Sequence, residues 1–227
     1  MPNNLDQQKI DYLNNIQKKY NVEYYPNELL GDQEAAFSFY VGGLDAIQAK
    51  KFQMASDMFS AALILDNNYL YNYYLALSRN YLNDYENVRR FLQSAIEQFS
   101  QKQVLYQPLQ DLVPENFTED FYYLYVESFY ALNEPEEATE LAERLIDSKI
   151  IDNINFDLDC LNYLTALGEK SLATAFSKKV LDRIARIADK TQQQAYLKRT
   201  SEMLQRLVPQ NATTNQAKTP PSISPEN

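Results

Sequence analysis

The stretch KFQMASDMFSAALILDNN, residues 51–68, indicates how this chain folds. Ala55, Phe59 and Ala62 follow one another at spacings of four and three residues, which places them on one face of an α-helix. Two of the three are small, so a second helix can approach that face closely. Gly43, another small residue, stands twelve residues before Ala55, where a neighbouring helix would lie. The stretch therefore predicts a pair of closely packed helices.

This helix pair resembles the tetratricopeptide repeat, a helix-turn-helix unit of about 34 residues. The family pattern has a small residue in the first helix. Its second helix carries an aromatic residue, an alanine, a large residue and another alanine. Gly43, Phe52, Ala55, Phe59 and Ala62 fill these places, and the first repeat covers 36–69. The resemblance implies an all-α solenoid in which each repeat packs on its neighbours.

The same template fits three further stretches, at 69–102, 119–152 and 154–187. The five template places hold Ala76, Tyr85, Val88, Leu92 and Ala95, then Val126, Pro135, Ala138, Ala142 and Leu145, then Leu161, Lys170, Ala173, Ser177 and Val180. We therefore predict one TPR-like domain over 35–207, in which 188–207 form a capping helix. Residues 103–118 are an insertion that interrupts the repeats and is expected to form a loop or short helix over one face.

The two ends of the chain have different characters. In the N-terminal segment, 1–34, Ile10, Leu13 and Ile16 recur at helical spacing, so we predict an amphipathic helix that is also a candidate homodimer contact. Residues 208–227 are polar and proline-rich, and such a composition predicts disorder. The N-terminus lacks the features of a signal peptide, and no run of 18 apolar residues occurs, so we expect a cytoplasmic protein without membrane insertion.

Composition excludes several kinds of catalytic and metal site. The 227 residues include no histidine, one cysteine and four glycines, so Ser-His-Asp triads, internal disulfides, cysteine-based zinc sites and glycine-rich phosphate loops cannot be built. We expect no cofactor and no enzymatic activity. The alternative is carboxylate chemistry at Glu136, Glu140 and Glu143, which share a helix face, although acids in a first helical turn also complement the helix dipole. Cys160 is expected to be a buried, unreactive thiol.

Charge is distributed unevenly over a net value of −10. Residues 111–169 hold fifteen acids and two bases, a net charge of −13, whereas 170–218 hold three acids and ten bases, a net charge of +7. The acidic total argues against a nucleic-acid partner, since phosphate binding needs a basic surface. The basic stretch is expected to be a solvated helix face, and an anionic partner is the alternative.

The resemblance implies that the first helix of each repeat lines a concave groove. The positions that face this groove in the family are Phe37, Tyr40, Leu44, Ile47 and Gln48, then Leu70, Tyr73, Leu77, Asn80 and Tyr81, then Asp120, Tyr123, Glu127, Tyr130 and Ala131. We take ten aromatic and apolar members of this set as candidate peptide-binding residues: Phe37, Tyr40, Leu44, Ile47, Leu70, Tyr73, Leu77, Tyr81, Tyr123 and Tyr130.

One groove position is tyrosine in three repeats, as Tyr40, Tyr73 and Tyr123. Such rings offer apolar faces and hydroxyl groups to a peptide. We therefore expect a double substitution, Tyr40→Ala with Tyr73→Ala, to abolish binding without unfolding the protein. Packing in the core is the alternative role for these rings.

Two comparisons within the family narrow the expected ligand. Repeats that bind the acidic tails of heat-shock chaperones carry Lys and Asn where this chain has Tyr40 and Leu44, so we expect apolar anchors instead. Residues 36–152 also resemble the class II chaperones of type III secretion, notably in KFQMA at 51–55 and YALNEPEEA at 130–138. This resemblance implies a chaperone or adaptor that holds an apolar segment of a partner protein. A structural scaffold or homo-oligomeric assembly factor is the alternative.

Overall fold

A computed structural model describes residues 7–21 and 32–207. These residues form eleven α-helices and no strand, so the all-α fold class is confirmed. The helices are α1 Gln7–Tyr20, α2 Asp32–Gln48, α3 Phe52–Leu65, α4 Tyr69–Asn80, α5 Tyr85–Ser100, α6 Gln107–Gln110, α7 Phe117–Ala131, α8 Pro135–Asp147, α9 Ile154–Leu167, α10 Lys170–Ile184 and α11 Lys190–Gln205. Within these residues, no helix is both long and apolar enough to cross a membrane. The predicted disorder of 208–227 concerns residues outside the described part.

The chain divides into two compact units, one ending at Cys160 and the other beginning at Leu161. In the first unit, α2 packs on α3, α3 on α4, α4 on α5, α5 on α7, and α7 on α8. Contacts therefore run mainly between helices that are neighbours in the chain, as expected for a solenoid-like arrangement. Two further contacts join α4 to α7 and α1 to α3.

Four turns within the predicted repeats share one backbone geometry. Lys50, Asn83, Asn133 and Gly168 all have positive φ, and each stands two residues before the next helix. After each of them, a backbone N–H bonds to the carbonyl five residues earlier, as in Lys51 N to Ala46 O at 2.8 Å. The equivalent bonds join 84 to 79, 134 to 129 and 169 to 164. This is the hydrogen bond of a Schellman-type helix end, and its recurrence makes the four helix pairs structurally equivalent at their turns.

Close approach of α2 and α3 explains the small residue at Gly43. An ideal Cβ added at Gly43 would lie 2.5 Å from Cε1 of Phe59, whose ring is fully buried. Gly42 differs, because the same added Cβ would meet only Met58 Sδ, at the ordinary distance of 3.7 Å. Gly43 is therefore required by packing against α3, as the template predicted.

The insertion contributes to the core of the first unit. Leu105 and Leu109 are buried, and the short helix α6 follows Tyr106 directly. The Tyr106 ring packs edge-on against Phe37 of α2, with ring centroids 6.1 Å apart. Gln103 Nε2 donates to the carbonyl oxygen of Asn67 at 2.8 Å. The segment thus covers part of the face that α2 presents.

The second unit comprises the end of α9 together with α10 and α11, and α11 packs on α10. Phe176, Val180 and Ile184 form the buried face of α10. The Asp189 carboxylate caps α11 by accepting hydrogen bonds from the N–H groups of Thr191 and Gln192. A helix is therefore present where the capping helix was predicted.

Candidate binding cleft

An open cleft of about 360 Å³ lies between α4 and α7 in the first unit. The side chains that line it are Tyr73, Leu77 and Asn80 from α4, Tyr81 directly after α4, and Asp120, Tyr123, Leu124 and Glu127 from α7. Seven of these eight residues occupy positions that the TPR resemblance assigns to the groove. Leu124 is the exception. The cleft falls within the size range of small-ligand sites, and it can hold a few side chains of a partner.

Helix geometry places the lining residues on facing surfaces. Spacings of three and four along α4 and along α7 put each set on one side of its helix. The start of α4 is fixed by Asn68, whose side-chain oxygen accepts hydrogen bonds from the N–H groups of Leu70 and Tyr71, each at 3.1 Å. This cap sets where the α4 face begins.

Aromatic rings form much of the cleft wall and are held by their neighbours. Tyr81, which is 49% exposed, stacks on Phe52 with ring centroids 4.3 Å apart and an interplanar angle of 16°. Tyr73, which is nearly buried, packs edge-on against Phe117 at 5.0 Å. The cleft therefore presents aromatic surface whose orientation is set before any ligand binds.

The two charged residues of the cleft lining are both acidic. Asp120 and Glu127 contribute carboxylates, and the Tyr123 hydroxyl donates to a third carboxylate, that of Asp159. Partial burial raises the pKa of Asp120 above its ordinary value, and nearby Glu119 adds to this effect. Asn80 Oδ1 is buried in this structure without a hydrogen-bond partner. None of the eight lining residues is basic.

Three predicted groove residues lie in the core instead. Tyr40 and Leu70 are fully buried and Tyr130 is 2% exposed, so we correct their assignment to an open binding surface. The Tyr40 ring packs against Phe59 at 5.9 Å and Tyr71 at 5.4 Å. Large aromatic residues on both neighbouring helices enclose it, which the repeat template alone does not reveal.

The tyrosine ladder is therefore interrupted. Tyr40 is enclosed, Tyr73 reaches the cleft with 7% of its surface exposed, and Tyr123 is half-buried in the wall. The proposed Tyr40→Ala and Tyr73→Ala double substitution would remove core side chains. It is consequently not a clean test of binding.

The other three predicted residues, Phe37, Leu44 and Ile47, lie on α2 away from the cleft. All three are half-buried and pack against the hydrophobic core. Tyr106 of the insertion covers Phe37 in particular. The structure does not bring these residues together with the cleft residues of α4 and α7.

The N-terminal helix uses its apolar face within the chain. Leu13 and Ile16 are 1% and 3% exposed, and α1 packs on α3. Lys19 Nζ and Tyr20 Oη hydrogen-bond the Asp57 carboxylate of α3, at 2.9 and 2.6 Å. Because these two apolar side chains are already buried, a homodimer built on them would require α1 to leave α3.

The surroundings of Cys160 and of the glutamates near the start of α8 indicate structural roles for these side chains. Burial of Cys160 is confirmed, and it raises the pKa of the thiol well above its usual value. Glu134 pairs with Arg89, and Glu136 and Glu140 are exposed. Among residues 7–21 and 32–207, no group of three or more cysteine or acidic side chains is arranged to hold a metal ion.

Most residues of the cleft were predicted from the sequence, but its negative charge was not. Leu124 was missed because the family pattern does not place it in the groove. Asp120 and Glu127 were mapped to groove positions, yet the candidate list kept only aromatic and apolar residues. The strongly acidic composition of 111–169 was the signal that could have included them.

Comparison with known proteins adds no family assignment. No protein-family model matches this chain, and no curated protein matches its sequence.

Proposed function

We propose that this chain is a non-enzymatic, TPR-like chaperone or adaptor that binds a short segment of a partner protein between α4 and α7. The observation that carries this proposal is the preformed cleft, whose walls include three tyrosine rings and whose volume is about 360 Å³. The resemblance to class II type III secretion chaperones supports a partner with an apolar segment.

The size of the cleft supports binding of moderate affinity. Two or three side chains that bury roughly 200–300 Å² of apolar surface would contribute about 5–7 kcal/mol. Losses of translational freedom and of peptide flexibility offset much of this gain, so micromolar or weaker binding is expected. Such affinity suits a protein that must release its partner.

A pair of adjacent tyrosines provides a direct test. Tyr123 lines the cleft, whereas Tyr122 stands next to it on α7, is also half-buried, and packs edge-on against Phe121. Dodecapeptides would be selected from a random phage-displayed library against the full chain. Their affinities for wild type, Tyr123→Ala and Tyr122→Ala would then be measured by fluorescence anisotropy.

We expect Tyr123→Ala to weaken binding by about tenfold or more, because an aromatic anchor surface is lost. Tyr122→Ala is expected to change affinity less than about twofold, provided that circular dichroism shows both variants folded. Peptides that bind both variants like wild type, or a library that yields no binder, would overturn the proposal.

A further inference from the structure

We propose that the cleft between α4 and α7 accepts an arginine side chain, next to an apolar residue, from the bound segment. This inference rests on the proposed function and specifies the chemistry of the partner. It follows from three features of the cleft: its charge, its aromatic wall and the unpaired oxygen of Asn80.

The first feature is negative charge without a basic residue in the lining. Asp120 and Glu127 both line the cleft, two turns apart on α7, and the Tyr123 hydroxyl donates to the Asp159 carboxylate. The Asp120 carboxylate is also close enough to Tyr73 and Tyr74 to raise the pKa of both hydroxyls, after the larger effect of their burial. A cation from outside would complement this charge, and an acidic segment would be repelled.

The second feature is the aromatic wall beside these carboxylates. Tyr73, Tyr81 and Tyr123 all line the cleft. A guanidinium group can stack on such a ring and at the same time donate paired hydrogen bonds to a carboxylate. A lysine ammonium group shares the charge but lacks the planar, forked geometry. The cleft therefore favours arginine over lysine.

The third feature is the acceptor at Asn80. Its buried Oδ1 has no hydrogen-bond partner in the described residues, and leaving such an atom unpaired is costly. Because this oxygen is closed to solvent, a guanidinium group reaches it only if the Asn80 side chain turns towards the cleft, and its five N–H donors then serve Asn80 and a carboxylate together. An apolar ligand could satisfy neither.

Charge removal in the peptide and in the protein gives the test. Peptides selected as above would be synthesised with arginine, with lysine, and with citrulline, which has nearly the shape of arginine but no charge. Their affinities would be measured by fluorescence anisotropy with wild type, Asp120→Asn and Glu136→Gln. Glu136 is the matched control, because it is an exposed acid in the first turn of α8, as Asp120 is in α7.

We expect arginine in most selected peptides and about tenfold weaker binding of the citrulline form to wild type. Asp120→Asn should lower the affinity of the arginine peptide about fivefold and reduce the difference in affinity between the arginine and citrulline peptides. Glu136→Gln should leave both affinities within about twofold of their wild-type values. The lysine form should bind between the other two.

Each contrary result has a distinct meaning. If selected peptides lack arginine, or if citrulline binds equally well, the inference is wrong, but sensitivity to Tyr123→Ala would still support the proposed function. An arginine advantage that Asp120→Asn leaves unchanged would also overturn it. If no selected peptide depends on Tyr123, the proposed function and this inference both fail.

Discussion

The face of α2 and the cleft between α4 and α7 occupy equivalent places in successive predicted repeats, but one is closed and the other open. On α2, Tyr40 is enclosed by aromatic neighbours and Tyr106 covers Phe37. Between α4 and α7, Tyr81 and Tyr123 remain accessible around an open volume. The same residue type at the same repeat position thus serves packing in one region and a surface in the other. Neighbouring side chains decide which.

Two carboxylates of the first unit differ in a similar way. Asp57, where α1 packs on α3, accepts hydrogen bonds from Lys19, Tyr20 and Gln53. The Asp120 carboxylate in the cleft has no comparable donor among the described residues. Asp57 is therefore paired within the fold, whereas the exposed Asp120 carboxylate is accessible to a partner.

The largest expected effect comes from truncating the matched tyrosines. Tyr40→Ala should lower the free energy of unfolding by about 3–5 kcal/mol, because it leaves a cavity among buried rings. Tyr123→Ala should cost about 1–2 kcal/mol, because that side chain is half-buried, although it loses the hydrogen bond to Asp159. Urea denaturation measures both. Tyr40→Phe is the control that keeps the ring, and equal costs for the two alanine variants would remove the distinction between the regions.

Substitutions at two adjacent glycines of α2 test how closely α2 and α3 pack. Gly43→Ala should destabilise by about 1–3 kcal/mol, since its Cβ would overlap the buried Phe59 ring. Gly42→Ala meets no such obstacle, so it should be neutral or stabilise by up to about 1 kcal/mol through helix propensity. The two variants would be compared by their denaturation midpoints. A stabilising Gly43→Ala would show that α2 and α3 are less closely packed than described.

Removing the Tyr106 ring, which covers part of the α2 face, is expected to have a smaller effect on stability. Tyr106→Ala removes the edge-on contact with Phe37 and should cost about 1 kcal/mol. Peptide affinity should stay within about twofold of wild type, because Tyr106 is not part of the cleft lining. Thermal denaturation and fluorescence anisotropy would measure the two quantities. A loss of binding would mean that the insertion also contributes to the binding surface.

The smallest expected effect concerns Asp57 and Asp120, whose contributions to stability should depend on pH in opposite directions. Burial disfavours ionisation of Asp57, but hydrogen bonds from Tyr20, Lys19 and Gln53 outweigh this and lower its pKa. Asp57 therefore stabilises the fold above its unfolded-state pKa of about 4, and this contribution is lost as the pH falls through the lower folded-state pKa. Asp57→Asn should cost about 1 kcal/mol or less at pH 7, and the cost should disappear in acid.

Asp120 should behave in the opposite sense. Its pKa is raised in the folded protein, so its charge costs stability at pH 7, and this cost is relieved as the pH falls through the raised folded-state pKa towards the unfolded-state value. Asp120→Asn should leave stability unchanged or slightly raise it at neutral pH. Denaturation midpoints of both variants, relative to wild type, would be recorded from pH 7 downwards. A loss of stability in Asp120→Asn at pH 7 would indicate that the carboxylate already has a stabilising partner.

The features of the fold and cleft that depend on regular residue spacing were predictable from the sequence. Helical periodicity around Ala55, Phe59 and Ala62 was enough for the all-α fold, and the template led to most of the cleft lining. Core packing was the alternative role considered for Tyr40, and the sequence did not favour it because burial there depends on rings from several helices and on their side-chain directions. The contact of Tyr106 with Phe37 depends on how the insertion folds back, and its local sequence does not specify that path.

The packing of α1 on α3 has a consequence for the order in which the first unit folds. Most of its helix contacts join chain neighbours, and such short-range contacts form quickly because little loop entropy is lost. The α1–α3 contact spans a greater chain separation, as the bond from Tyr20 to Asp57 shows. We therefore expect α1 to dock late and to detach before the rest of the unit unfolds. In native-state hydrogen exchange, its amide protons should be the least protected among the helices of this unit.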